Sequence, residues 1–287
     1  MYAITGITGQ VGGAVARTLL AAGANVRAVA RDASKAAAWA ERGCALASAE
    51  MTDAPALARA FEGADGVFVL IPPIFDPSPG FTEAGAVISA VRDALARTRP
   101  ARTVCLSTVG AQATQPNLLN QLAMMERELG TLDLPIAFIR AAWFMENASW
   151  DVASARDGQI HSFLQPLDRA IPMIATADIG EMAARLLRQQ WTGRRIIELH
   201  GPAPVSPSEL AASFSRLLGH PVNTQAVPRA EWDPLFRAQG MRNPEPRMQM
   251  LDGFNQGWLT FEGGEGVEAV TGPTTLETVL RDLLARA

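Results

Sequence analysis

The chain is almost without tyrosine and lysine. Of 287 residues one is tyrosine, Tyr2, and one is lysine, Lys35; every other basic residue is arginine. A mechanism in which a lysine four residues along lowers the pKa of a tyrosine is therefore excluded. Cysteine is equally scarce. Cys44 and Cys105 stand singly in apolar segments without CxxC spacing, which excludes a disulfide framework and leaves two buried, reduced thiols. The three histidines, His161, His200 and His220, are far apart and lack metal-ligand spacing, so no metal is expected. Positive charge is not in excess: the net charge is -4, and no Lys/Arg run suggests a phosphate-tracking surface. No nucleic-acid partner is expected. No apolar run approaches the roughly 18 residues of a membrane span. Strand residues begin at Tyr2, leaving no room for a signal peptide. The expectation is a soluble cytoplasmic protein.

Hydrophobic residues make up 48% of the chain, enough for a large core. In the first half, apolar strand runs alternate with Ala/Leu-rich helical stretches, the pattern of βαβ units and a parallel sheet. Strands are expected at Tyr2–Thr5, Val26–Ala30, Ala45–Ser48, Gly66–Ile71, Thr103–Ser107 and Ile136–Arg140. Helices are expected at Val11–Ala22, Ser34–Arg42, Ala54–Phe61, Phe81–Thr98 and Asn117–Leu129. Asp53 and Pro55 mark a helix start, and Gly23 and Gly43 sit where helices stop. After Asn147 the pattern changes. Short strands (Ile196–Leu199, Val222–Ala226) are scattered among helices at Ile179–Gln190, Pro207–Leu218 and Thr275–Ala285.

The segment Thr5-Gly6-Ile7-Thr8-Gly9-Gln10-Val11-Gly12 follows a strand and opens a helix. Gly6 suits the tight turn, Gly9 lets backbone approach a pyrophosphate, and Gly12 allows close helix–strand packing, as in a Rossmann dinucleotide site. The fold class is therefore α/β, a Rossmann-type doubly wound parallel sheet with a smaller α+β C-terminal lobe. Residues 1–150 are expected to form the dinucleotide-binding domain and residues 151–287 a substrate or partner lobe that returns to pack on it. The second strand ends in Arg31, with Lys35 just beyond, where an NAD enzyme usually carries an acid for the ribose 2′-OH. A guanidinium there can pair with a 2′-phosphate in a fork geometry and Lys35 can add a point charge, so NADP(H) is preferred over NAD(H). Asp32 remains an alternative acceptor for a ribose hydroxyl.

Together these motifs resemble the NmrA-like branch of the atypical short-chain dehydrogenase/reductases. TGITGQVG matches the glycine motif, GVFVLIPP the fourth strand, LSTVGA the fifth-strand end and IRAAWFMEN the stretch near the nicotinamide. ADIGEMAARLL and LHGPAPVSPSELA match later elements. The resemblance implies that Gly6, Thr8, Gly9, Gln10 and Val11 line the pyrophosphate and Arg31 meets the 2′-phosphate. Glu50 and Met51 would flank the adenine, and Ile71 and Pro72 would back the ribose. Ser107 would lie near the nicotinamide, with Trp143 and Asn147 on the substrate side. Two departures stand out: Ala141-Ala142 where Pro-Gly is common, and Glu50 where Asp is usual.

Members reduce quinones and related compounds or aromatic alcohols, and some are non-catalytic sensors that bind NADP. With no Tyr–Lys pair, and none of the fifth-helix lysine that family reductases often carry, the chain lacks an acid–base group worth two to four orders of magnitude in rate. Hydride transfer to a quinone needs less, because the product oxyanion is delocalised and water can protonate it. The expectation is an NADPH-dependent oxidoreductase acting on a quinone or similar conjugated small molecule, with no catalytic residue assigned. The alternative is an NADP(H)-sensing regulator with a protein partner.

Overall fold

The computed structural model describes residues 1–32 and 34–286. Its first half runs β1 (Tyr2–Thr5), α1 (Gln10–Ala21), β2 (Val26–Ala30), α2 (Ala37–Ala40), β3 (Ala45–Ser48), α3 (Ala54–Phe61), β4 (Gly66–Val69), α4 (Thr82–Thr98), β5 (Arg102–Thr108), α5 (Asn120–Leu129) and β6 (Ile136–Ala141). The second half runs β7 (Trp143–Phe144), α6 (Val152–Arg156), β8 (Gln159–Ser162), β9 (Met173–Ile174), α7 (Thr176–Arg188), β10 (Arg194–His200), α8 (Pro207–Leu218), β11 (Asn223–Ala226), α9 (Trp232–Ala238), α10 (Glu245–Gln256), β12 (Val267–Thr271) and α11 (Leu276–Arg286).

Eight of these strands form one sheet in the order β12-β10-β6-β5-β4-β1-β2-β3. Every pairing within it is parallel. β4 and β6 are buried along their whole length, as strands covered on both faces must be, and read as apolar runs interrupted only by Arg140 of β6. One face packs on α1 and α7, through Val15, Leu19, Ile179 and Leu187. The other packs on α3, α4 and α5, through Leu57, Phe61, Val91 and Met125. The fold is thus the α/β doubly wound arrangement, with its topological switch between β1 and β4.

Several boundaries depart from the sequence reading for visible reasons. β4 stops at Val69 because the Leu70 N–H donates to the Thr5 hydroxyl (2.8 Å) and the chain turns out into Pro72-Pro73. α5 starts at Asn120 because Asn side chains hold the preceding turn: Asn117 accepts from the Leu119 N–H, and Asn120 from the Asn117 N–H. The stretch expected as one helix from Ser34 is a 3-10 turn, Ser34–Ala36, followed by the four-residue α2. β10 and β12, from the half expected to form the smaller lobe, extend the main sheet beyond β6, since Ile197 and Leu199 alternate onto the α7 face. The rest of that half packs around Trp232, Phe236, Met248 and Phe254, a third core over the strands' carboxyl ends.

α1 and α7 meet more closely than side chains normally allow. A Cβ on Gly180 of α7 would lie 2.4 Å from the Ala14 Cβ of α1. Gly180→Val is therefore expected to lower stability by about 1–3 kcal/mol through overpacking. Gly85→Ala, in α4 with only the Met124 sulfur as far as 4.0 Å away, is expected to raise it by about 0.5–1 kcal/mol. Chemical denaturation of both variants checks this; effects of the same sign would contradict the packing account.

Candidate cofactor and substrate site

At the switch point, Thr5 closes β1 onto β4. Its buried hydroxyl donates to the Phe68 carbonyl (3.1 Å) and accepts from the Leu70 N–H. The next residue, Gly6, takes φ +63°, a left-handed turn open to glycine at little cost. The Gly9 N–H donates back to the Gly6 carbonyl (3.0 Å). A Cβ on Gly12 would fall 2.3 Å from the Gly6 oxygen, so only glycine lets α1 start this close to the turn. Gly9 caps α1 in extended conformation and no side chain accepts from the first helical turn. An α-helix leaves its first N–H groups without internal acceptors and carries positive dipole there, a setting that suits an anion. Thr8, Gly9 and Gln10 are exposed around this turn, whereas Val11 and Gly12 are buried beneath it.

Beside the turn, β2 ends at an exposed Arg31, whose Nε lies 3.9 Å from Glu50 Oε1 across the end of β3. Both side chains stay mostly in solvent, at 71% and 58% exposure, so the pair contributes little stability and leaves the guanidinium available. Asp32 is differently engaged. Its Oδ1 accepts both the hydroxyl (2.6 Å) and the N–H (2.9 Å) of Ser34. The Ser34 hydroxyl above all holds the Asp32 carboxyl below its ordinary range. Lys35 is exposed in the same 3-10 turn. Met51 is half-buried against the α3–α4 core, Ile71 is buried, and Pro72 is exposed at the end of β4. The carboxyl edge thus presents, from β3 to β4, Glu50 and Met51, Arg31, the glycine turn, then Ile71 and Pro72.

Ser107, near the end of β5, lies inside the wall of this edge. It is 3% exposed and its hydroxyl donates to Glu126 Oε1 of α5 (2.5 Å). The same carboxylate accepts from Arg140 of β6 at Nε (3.0 Å) and Nη2 (2.8 Å). Arg140 Nη1 donates to Glu262 (2.6 Å) and lies 3.7 Å from Glu198 of β10. Glu198 in turn accepts the N–H groups of Glu262 (2.7 Å) and Gly263 (3.1 Å). Burial alone would depress the Arg140 guanidinium, but its bonds to Glu126 and Glu262 hold it well above its ordinary value. This network escaped the sequence reading. Its signal was present as charges inside apolar strand runs, Arg140 in Ile136-Ala137-Phe138-Ile139 and Glu198 in Ile196-Ile197, since a charge in a buried strand requires a partner.

Trp143 and Asn147 lie half-buried on the segment leaving β6. The Trp143 ring stands edge-on to Phe254 of α10 at 5.2 Å. Neighbouring Glu146 caps α7, accepting the Thr176 hydroxyl (2.6 Å) and N–H (2.9 Å). Burial raises its carboxyl, against the pull of those Thr176 bonds. Opposite, the loop after β4 is tied to the lobe: Asp76 accepts the Arg242 and Asn243 N–H groups (3.0 and 2.6 Å). Buried Gln121 of α5 donates to the Ile74 carbonyl (3.1 Å) of that loop. Among the described residues no helix is long and apolar enough to cross a membrane and no His/Cys/Asp/Glu cluster could hold a metal.

A parallel doubly wound sheet with an open glycine turn at its switch point defines the class of dinucleotide-fold proteins. The NmrA-like family matches residues 2–243, and the chain belongs to that family. It is 26% identical over 244 residues to an NAD(P)H azoreductase of Xenophilus azovorans, covering 84% of this chain and 82% of that protein. It is 25% identical to quinone oxidoreductase 2 of Escherichia coli (strain K12), covering 96% and 95%. Among solved structures, a Citrobacter sp. triphenylmethane reductase complexed with NADP(H) superposes with TM-score 0.82 at 21% identity, covering 99% and 100% of the two chains.

The Met145–Asp151 stretch that carries Asn147 ends in a half-buried acid. Desolvation raises Asp151 from 3.8 to about 6. The folded state then binds a proton more tightly than the unfolded chain, so this residue's contribution falls as pH rises from about 4 to about 6 and stays unfavourable above. The penalty near neutrality is on the order of 3 kcal/mol. Asp151→Asn is expected to be more stable than wild type by an amount that grows by roughly 2 kcal/mol between about pH 4.5 and pH 7.5. Urea denaturation at both pH values checks this; a pH-independent difference would show that Asp151 titrates normally.

Proposed function

We propose that this protein is an NADPH-dependent oxidoreductase that reduces a quinone or similar conjugated small molecule. The observation that carries the reading is the β1–α1 turn, where a Cβ on Gly12 would meet the Gly6 oxygen at 2.3 Å and α1 starts without a side-chain cap. A backbone cradle of this kind fits a pyrophosphate, and the exposed Arg31 next to it fits a 2′-phosphate. Asp32, occupied by Ser34, is the weaker candidate for a ribose hydroxyl. In this reading Gly6, Thr8, Gly9, Gln10, Val11 and Gly12 hold the pyrophosphate and Arg31 and Lys35 the 2′-phosphate. Glu50 and Met51 flank the adenine, Ile71 and Pro72 back the ribose, and Ser107 supports the wall behind the nicotinamide. Residues 1–150 carry the cofactor, and the lobe within 151–287 covers it. Trp143 and Asn147 face the acceptor.

When bound, a reduced dinucleotide would supply the hydride, and water would supply the proton that completes a hydroquinone. The chain's task is to hold donor and acceptor in register and keep the site apolar, which suits an electrophile that needs no strong acid. The relatives named as an azoreductase and a quinone oxidoreductase support this class of acceptor. A second reading, a non-catalytic NADP(H) sensor, draws on the engaged Ser107 hydroxyl and on the single tyrosine, Tyr2, packed in β1 against Gly66.

NADPH consumption across a panel of quinones and azo compounds tests the proposal. Wild type is expected to turn over at least one of them, and Asn147→Ala to lose roughly tenfold in kcat/KM, the worth of one hydrogen bond to the acceptor. No turnover on any acceptor, with NADP(H) binding retained, would contradict the oxidoreductase reading and leave the sensor.

A further inference from the structure

Four arginines lie over aromatic rings, and two of them, Arg42 and Arg247, pair with no carboxylate among the described residues. Arg195 over Trp191 (5.5 Å) is paired with Glu268, and Arg229 over Trp232 (4.8 Å) with Asp252. Arg42 over Trp39 (5.2 Å) is exposed to water. Arg247 is half-buried, with its guanidinium 4.5 Å from the Phe236 ring and 5.8 Å from the Phe75 ring. Among the described residues its one hydrogen-bond contact is the Met241 sulfur (3.7 Å), and no carboxylate pairs with it. Burial pulls its pKa down with nothing opposing. A guanidinium carries five N–H donors in a planar fork and no acceptor, and charges removed from water are ordinarily paired.

The position of Arg247 gives this vacancy a use. It lies in the first turn of α10, where Phe75 of the loop leaving β4 stacks on it and where Leu118, between β5 and α5, donates its N–H to the neighbouring Pro246 carbonyl (2.8 Å). Seven residues along, on the same helical face, Phe254 meets the edge of Trp143. At about 1.5 Å rise per residue the two points are roughly 10 Å apart along the helix, the length of a fused bicyclic aromatic with one substituent. One face of α10 thus carries the half-buried, unpaired Arg247 in its first turn and, about two turns on, the buried Phe254 that supports Trp143.

We propose that Arg247 is a specificity-determining residue that binds an anionic substituent, a sulfonate or carboxylate, on an aromatic acceptor, while Phe75 and Phe236 keep the guanidinium plane fixed. The proposal rests on the oxidoreductase reading for the identity of the ligand as acceptor, but its binding element does not. A carboxylate, or two of the three oxygens of a sulfonate, accepts two N–H bonds from such a fork, and the aromatic faces suit the ring that carries it.

The test compares a naphthoquinone sulfonate with the parent naphthoquinone as acceptors, in wild type, Arg247→Gln and Arg247→Lys. Arg247→Gln is expected to raise KM for the sulfonate about tenfold or more while KM for the parent changes less than about twofold; Arg247→Lys, with charge but no fork, falls between. Equal changes for both acceptors, or none, would overturn the proposal and leave Arg247 as packing. Should no acceptor turn over, the oxidoreductase reading fails separately. Calorimetric titration of naphthalene sulfonate into the NADP+-loaded protein then decides the proposal. Binding in wild type that weakens about tenfold in Arg247→Gln upholds anion recognition, and absent or equal binding overturns it.

Discussion

The close seating of α1 on the β1 turn is the constraint on which the rest of the site depends. Gly12 against the Gly6 oxygen brings the helix start to the switch point, and Thr5 fixes that point by bridging β1 to β4. α1 is then clamped from behind by Gly180 of α7. α7 is itself oriented from both sides: Glu146 caps its first residue, and Asp178 accepts the N–H (3.0 Å) and hydroxyl of Thr274 ahead of α11. A shift in the segments that carry Glu146 and Thr274 would thus reach the glycine turn through two closely packed helices. These contacts are backbone-close, which leaves either helix little room to slide.

Arg140 plays the corresponding part at the far half of the sheet, around β6. One guanidinium joins β6 to α5, β10 and the turn at Glu262, and so sews the second half of the chain to the first. Three carboxylates around one cation need further donors, which the Ser107 hydroxyl and the N–H groups of Glu262 and Gly263 provide. Removing one partner from such a buried network typically costs about 3–5 kcal/mol, because the remaining charges stay buried. The network also consumes the Ser107 hydroxyl, which the family resemblance placed near the nicotinamide. The end of β5 therefore contributes a charged scaffold behind the wall.

The sheet was legible because its strands are short apolar runs of period two or full burial, punctuated by helices with recognisable caps. Asp53 is a case in point: it stands where expected and accepts the Ala56 N–H (2.9 Å). The glycine turn was legible because each glycine answers a backbone demand that acts over a few residues. What stayed hidden was whatever depends on pairings distant in sequence. The placement of β10 and β12 in the main sheet, the Arg140–Glu198 and Arg140–Glu262 pairs and the Asp76 tie to Arg242 and Asn243 all join residues 58 or more positions apart. Hydrophobic periodicity says that such a strand is buried and leaves open which neighbour buries it. Arg247 was invisible for the same reason, since a lone arginine in a polar helix start reads as solvated until its flanking rings are in place.

The central claim is that the turn at Gly6–Gly12 and the guanidinium of Arg31 together select a 2′-phosphorylated dinucleotide. Calorimetric titration of the purified protein with NADPH, NADP+, NADH and NAD+, repeated on Arg31→Ala, tests it most directly. The account predicts that NADP(H) binds wild type at least tenfold more tightly than NAD(H), roughly one charge-assisted contact, and that Arg31→Ala brings the two within about twofold. Equal binding of NADPH and NADH to wild type, or an unchanged preference in Arg31→Ala, would contradict it.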